Sequence, residues 1–173
     1  MLILIAGLPG TGKTTLASAY AASEQVLHLN SDALRNELKL RGKYSPETKQ
    51  KVYNELLLRA RKALSQGETV VVDSTFHQAS VQRAFIQLAE ELRVPLCWIE
   101  VTASENILRE RLGHPRPDSE ADYTVYEQIR DTADPLPPHR LSLRTDVDSL
   151  SILVSKIREY VLENGKRGPI TTP

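Results

Sequence analysis

Apolar and polar positions along this chain change period in blocks, and the blocks predict strands and helices in turn. Leu2 to Ala6 is a continuous apolar run ending in glycines, the pattern of a central strand covered on both faces. A helix is predicted from Lys13 to about Ala22, then a short strand over Val26–Leu29, then a helix opening near Ser31 or Asp32. Ser45-Pro46 supplies an N-cap followed by proline at the first helical position. Val52, Leu56, Ala60 and Leu64 then recur at helical spacing until Gly67. Thr69–Val72 is the most β-branched stretch and ends at Asp73, and Val81, Phe85, Leu88 and Leu92 mark the next helix. Pro95–Val101 reads as a strand with its proline at the entrance, and Ser104–Leu112 as a helix. Residues 113–120 break all periodicity. A polar helix over about 121–132 follows, then a stiff connection through Pro135, Pro137 and Pro138. Leu141–Leu143 is a weak last strand, and Leu150, Leu153, Val154, Ile157 and Val161 form a final amphipathic helix. Strands alternating with helices predict an α/β fold, a five-stranded mainly parallel sheet sandwiched by helices. The expected domain runs over residues 1–163, with 164–173 as a flexible tail.

Composition narrows this picture without redirecting it. At 173 residues the chain is long enough for one full core, burying roughly 70% of the surface its unfolded form exposes. Twenty-two Lys and Arg balance 22 Asp and Glu, which removes the global basic field of a dedicated duplex-DNA binder but allows a local basic groove. The lone Cys97 excludes an intramolecular disulfide and fits a reducing compartment, and its place in an apolar strand reads as a small buried hydrophobe. No apolar run reaches the roughly 18 residues of a membrane span, and Met1–Ala6 lacks the basic start of a secretion signal. A cytoplasmic protein is therefore expected. His28, His77, His114 and His139 have no metal-ligand spacing. Lys39, Arg41 and Lys43 surround Gly42 as a basic turn, either solvated or in contact with a phosphorylated or polynucleotide acceptor.

Candidate chemistry concentrates in Gly7-Leu8-Pro9-Gly10-Thr11-Gly12-Lys13-Thr14, a complete eight-residue phosphate-loop pattern between a buried strand and a helix. Such a loop wraps a triphosphate with its own N–H groups, so side chains must be absent where backbone meets phosphate. Gly10, Thr11, Gly12, Lys13, Thr14 and Thr15 are the expected nucleotide-binding residues. Lys13 should reach the β- and γ-phosphates, and the Thr14 hydroxyl should bind Mg²⁺. Asp73, ending a strand, is the second candidate for the metal, or else an aspartate that merely opens a turn. Asp32 and Arg35 follow the second strand on the edge where loops converge on nucleotide; alone, Asp32 could be a helix cap and Arg35 a solvated helix residue.

Together, GLPGTGKTT at 7–15, SDALR at 31–35, VVVDSTF at 70–76 and RERLGHPRPDSEAD at 109–122 resemble one group of small P-loop kinases. That family includes phage polynucleotide 5′-kinase, zeta toxins and chloramphenicol phosphotransferase. The similarity extends to about residue 160 and is greatest to stand-alone bacterial members, in which an acidic-Pro pair (here Asp134-Pro135) follows the lid. The resemblance implies a P-loop NTPase fold with a lid at about 109–122. It implies that Asp32 takes the proton of the acceptor hydroxyl and that Arg35 holds acceptor or phosphate. It also implies that lid arginines cover the nucleotide. Arg111 matches the one that stacks on adenine, while the charge-neutralising role falls to Arg116 or Arg109, because Pro115 occupies the usual position. Relatives tend to carry an Asp-Thr pair after the last strand, where this chain has Arg144-Thr145-Asp146.

The combined expectation is an ATP·Mg²⁺-dependent phosphotransferase acting on a hydroxyl acceptor. A small molecule or sugar nucleotide is favoured, since aromatics are only 5% of residues and leave few stacking platforms for nucleic acid. A polynucleotide 5′-hydroxyl kinase is the alternative enzyme. A nucleotide-dependent ATPase or switch is the alternative of another class, although water hydrolysis requires neither the Asp32/Arg35 pair nor an arginine-bearing lid.

Overall fold

The computed structural model describes residues 1–114 and 121–165 of the chain. Its five strands are β1 (Leu2–Ala6), β2 (Leu27–Asn30), β3 (Val70–Ser74), β4 (Leu96–Thr102) and β5 (Leu141–Arg144). They form one sheet in the order β2-β3-β1-β4-β5, and all four pairings are parallel. Parallel strands need crossovers, which α1 (Lys13–Glu24), α2 (Ser31–Glu37), α3 (Pro46–Ser65) and α4 (Ala79–Leu92) supply in the first half. The second half adds α5 (Glu105–Leu112), α6 (Tyr123–Thr132) and α7 (Leu150–Asn164).

Period-two alternation sorts the strand side chains onto two faces. Leu2, Leu4, Val70 and Val72 pack with Leu56 and Leu64 of α3 and Phe85 and Leu88 of α4. Ile3, Ile5, Val71, Cys97 and Ile99 pack on the other face with Leu16 and Tyr20 of α1 and Leu153 and Ile157 of α7. This double cover is why β1 and β3 read as unbroken apolar runs. Burial pushes the Cys97 thiol up to about 11, so it stays a protonated hydrophobe.

The central strand β1 has β3 on one side and β4 on the other, so the loops leaving β1 and β3 part over the carboxyl edge of the sheet. Ligands bind in open α/β sheets at such a point. The exit of β3 is pinned there by Phe76, which holds a left-handed φ of 49° and is fully buried. Its ring meets Phe85 and Trp98 edge-on at 5.3 and 5.4 Å, and its carbonyl accepts from Gln82 Nε2 at 2.9 Å. Packing thus sustains a conformation that costs a side-chain-bearing residue roughly 1–3 kcal/mol. It fixes Thr75 and His77 at the mouth of the cleft.

Two local expectations change. Asp73 lies inside β3 instead of opening a turn after it, because the strand runs one residue further to Ser74. The N-cap of α2 is Asn30, whose Oδ1 accepts from Ala33 N at 2.6 Å, so Asp32 sits in the first turn and is not the cap. No helix among the described residues is long and apolar enough to cross a membrane.

Candidate active site

The loop from Gly7 to Thr14 joins β1 to α1 as expected. A Cβ on Gly7 would lie 2.5 Å from the Val101 carbonyl oxygen and 2.7 Å from Thr11 Oγ1, so only glycine fits against β4. Gly10 and Gly12 take φ of 83° and 85°, turning the backbone so that α1 starts at Lys13. Thr11 Oγ1 donates to Leu8 O at 2.9 Å and closes the loop on itself. The cradle is held from outside by Thr145, whose Oγ1 donates to Thr11 O at 2.7 Å. Arg111 Nη1 donates to that same hydroxyl at 2.9 Å and to Gly10 O at 3.2 Å.

Thr145 was not among the expected site residues, and only its place after the last strand hinted at it. Together with Gly12, Thr15, Arg111 and Leu150 it borders a cavity of about 420 Å³ beside the phosphate loop. Asp146 next to it accepts from Ser104 N at 3.0 Å, tying the residue before α5 to the end of β5. The bonds from Arg144 and from Ser104 hold the Asp146 carboxyl well below the usual carboxylate range.

Lys13 is buried at the loop's end, Thr14 half-buried and Thr15 exposed. Facing Thr14 is Asp73, with no exposed surface. Asn30 Nδ2 donates to Asp73 Oδ2 at 2.7 Å and to Thr14 Oγ1 at 3.3 Å, and His28 Nε2 lies 3.3 Å from the same Oδ2. His28 and Asn30 alternate along β2, and Asn30 is the register partner of Asp73, so both reach one carboxylate. The other oxygen, Asp73 Oδ1, is buried without a hydrogen-bond partner. A hydroxyl and an unsatisfied carboxylate oxygen are the hard donors a hydrated Mg²⁺ takes, so these residues fit that ion. Among the described residues no cluster of three His, Cys, Asp or Glu offers an all-protein metal cage.

On the other side of Lys13 lies a cavity of about 290 Å³. Asp32 and Arg35 of α2 line it with Lys49 and Tyr53 of α3, the β3 exit through Ser74, Thr75 and His77, and Val125 and Ile129 of α6. Arg35 is buried, donates from Nη1 to Lys43 O at 2.7 Å and lies 4.6 Å over the Tyr44 ring. The solvated-residue reading of Arg35 therefore does not hold. Tyr53 and Ser74 share a hydrogen bond at 3.1 Å, as do Thr75 Oγ1 and His77 Nδ1 at 2.8 Å. Burial, followed by the charge of Lys49, pushes the His77 pKa down against the opposing pull of Asp134. Asp134 anchors the connection after α6, accepting from Ala79 N at 2.7 Å while its own N–H donates to His77 O at 2.9 Å.

Lys13, Thr14, Asp73, Asp32, Arg35 and Arg111 thus meet along one edge of the sheet. Arg109 is directed elsewhere: it pairs with Glu105 at 2.9 Å and lies 4.3 Å over the Tyr123 ring. Arg116 and residues 115–120 of the expected lid, like the end of the expected tail from 166, lie outside the described residues.

A family model described as AAA domain matches residues 2–136, and the chain belongs to that family. The fold is shared with several proteins of solved structure. A Chloroflexus aurantiacus protein of solved structure superposes with a TM-score of 0.74 at 22% identity, covering 92% of this chain and 97% of its own. The APS kinase of Mycobacterium tuberculosis, solved in complex with AMPPNP and APS, superposes with a TM-score of 0.69 at 15% identity, covering 93% of this chain and 96% of its own. In sequence the chain is 26% identical over 108 residues to the bifunctional polynucleotide phosphatase/kinase of Schizosaccharomyces pombe, which is 62% of this chain and 22% of that protein. The chain spans about a quarter of the length of the curated relatives it matches.

Proposed function

We propose that this chain transfers the γ-phosphoryl group of ATP to the hydroxyl of a small-molecule acceptor. The observation that carries the reading is the shared cavity: Asp32 and Arg35 face the same space as Lys13 and the end of β3. A hydrolase or switch would need only the phosphate loop and a positioned water. An aspartate and a buried arginine across a metabolite-sized cavity suit a second substrate instead.

The phosphate-loop amides and the N-terminus of α1 form a partial positive pole for the β- and γ-phosphates, with Lys13 adding a full charge. Thr14 and Asp73 would hold Mg²⁺, which would supply charge neutralisation on the phosphates when bound. Asn30 and His28 hold the Asp73 carboxylate through Oδ2 and leave Oδ1 without a protein partner, so that it would be open to the ion. Arg111 and Thr145 support the loop from the base side, where the nucleoside lies in the cavity bordered by Gly12 and Leu150.

Asp32 orients the acceptor hydroxyl. As its oxygen bonds to the γ-phosphorus, the bond to the β,γ-bridging oxygen breaks, ADP leaves and the hydroxyl proton passes to Asp32. That carboxylate can collect the proton late, because the phosphoryl transition state is loose. Arg116 carries the charge-neutralising role in this scheme, since Arg109 is engaged by Glu105 and Tyr123. AMPPNP in the APS kinase supports ATP as the donor.

A polynucleotide 5′-hydroxyl kinase is the second reading, favoured by the match to the S. pombe enzyme and by the basic turn of Lys39, Arg41 and Lys43. Turnover of ATP with and without hydroxyl acceptors, among them a 5′-hydroxyl oligonucleotide, separates the readings. Acceptor-dependent ADP release supports transfer, and release indifferent to every acceptor supports hydrolysis.

A further inference from the structure

Buried charges in proteins are paired or held for a ligand, because an isolated ion in a dry site costs several kcal/mol. Arg35 departs from pairing. It is 8% exposed, its Nε has no hydrogen-bond partner and its Nη1 is spent on a neutral carbonyl. Among the described residues no carboxylate pairs with it, nor with Lys49, the half-buried lysine on the α3 wall of the same cavity. Among the described residues the one carboxylate lining this space is Asp32, which the phosphotransfer reading assigns to the acceptor hydroxyl. Lys13 at the same mouth is assigned to the nucleotide phosphates. Among the described residues two cations, Arg35 and Lys49, therefore remain over.

The rest of the wall says what else the occupant carries. Ser31, Tyr53, Ser74 and Thr75 place four hydroxyl groups around the space, suited to exchanging hydrogen bonds with a polyhydroxylated molecule. Val52, Val125 and Ile129 add apolar surface for its carbon frame. A volume of about 290 Å³ lies at the small end of ligand pockets and suits a compact metabolite better than a nucleotide within a strand.

We infer that the acceptor is a small polyhydroxylated anion, its carboxylate or phosphate group held between Arg35 and Lys49 while a hydroxyl faces Asp32. The inference rests on the phosphotransfer reading and narrows it to a substrate class. Lys49 is then a specificity-determining residue, outside every motif the sequence offers, that separates anionic acceptors from their neutral counterparts.

The test uses matched pairs in which the neutral twin carries a hydroxyl where the anion carries its acid group: gluconate with glucitol, glycerate with glycerol, and ribose 5-phosphate with ribose, alongside a 5′-hydroxyl oligonucleotide. Transfer of labelled phosphate from ATP is measured, and the binding of each compound to protein loaded with a non-hydrolysable ATP analogue and Mg²⁺. At least one anionic compound should bind and be phosphorylated with kcat/KM 100-fold or more above its neutral twin. The carboxylate and phosphate pairs tell the two anions apart. Lys49→Met keeps the aliphatic stem at a half-exposed position, and should cut that preference at least tenfold through KM, with the KM for ATP unchanged. The inference is overturned if a neutral twin is used equally well, if only the oligonucleotide is used, or if no anion of the set binds the analogue-loaded protein. It is overturned too if Lys49→Met leaves the preference intact. Failure of the analogue itself to bind would bring down the phosphotransfer reading and the inference with it.

Discussion

Asn30 and Asp73 are register partners on adjacent parallel strands, and the Asn30 amide donates to Asp73 Oδ2 at 2.7 Å. The same side chain reaches Thr14 Oγ1 at 3.3 Å and caps α2 through Ala33 N at 2.6 Å. One residue therefore ties both candidate metal donors to the helix that carries Asp32 and Arg35. Asn30→Ser separates these duties, since serine still caps a helix but is too short to reach Asp73. Loss of a hydrogen bond to a charged group costs about 1.5–3 kcal/mol, so the affinity for Mn²⁺ in the nucleotide complex should fall about tenfold or more. Paramagnetic resonance titration reads this directly, and the thermal melt should fall by several degrees, because the buried Asp73 carboxylate loses a donor. Unaltered Mn²⁺ affinity would mean that Asn30 is only a cap.

Lys13→Ala should abolish phosphoryl transfer in a folded protein. The ammonium offsets charge that grows on the phosphates in the transition state, a contribution of roughly 3–4 kcal/mol in sites of this kind. Turnover measured beside circular dichroism checks it; a folded variant with near-native turnover would sink the nucleotide assignment.

Thr145→Val keeps the shape of the side chain and removes the hydroxyl that joins Thr11 O to Arg111. With two polar groups left short of a partner, stability should fall by about 1 kcal/mol, or about 2–4 °C in Tm for a chain of this size. Affinity for an ATP analogue should weaken several-fold, as the loop loses its outer support. Calorimetric titration and melting give both numbers. If the variant binds nucleotide as tightly as the native chain, Thr145 is no part of the cradle.

His77 gives a pH dependence whose sign is fixed. Burial and Lys49 lower its pKa in the folded protein, so the unfolded chain binds the proton more readily. The stability this contributes is complete above the unfolded value of about 6.5 and is lost as pH falls through the lower folded pKa. His77→Asn should therefore lose less stability than the native chain between about pH 7 and 5. Chemical denaturation at several pH values measures the difference; parallel profiles would contradict the burial argument.

The phosphate loop was legible from sequence because its chemistry is written in glycines that the backbone itself requires, as at Gly7 against the Val101 carbonyl. The strands and helices were legible for a similar reason, double cover giving β1 and β3 their apolar runs. His28, Asn30 and Thr145 were not. His28 and Asn30 gain their roles from the pairing of β2 with β3, and Thr145, hinted at only by its place after the last strand, from a contact across 134 residues of chain. Asp32 could be read either as cap or as base until Asn30 was found at the cap position. Arg35 taken alone could be read as a surface residue, and only the resemblance gave it a role, because an amphipathic pattern does not reveal that the loop carrying Lys43 and Tyr44 folds over it.

The central claim is that Asp32 serves an acceptor and not the nucleotide, and Asp32→Asn tests it most directly. The amide keeps the size of the side chain but cannot take up the proton. Once an acceptor is in hand, affinity for ATP·Mg²⁺ and phosphoryl transfer are measured on the same variant. The account predicts nearly native nucleotide affinity with transfer reduced by about two orders of magnitude or more, the scale of a lost general base. Equal loss of binding and transfer, or transfer at the native rate, would contradict it.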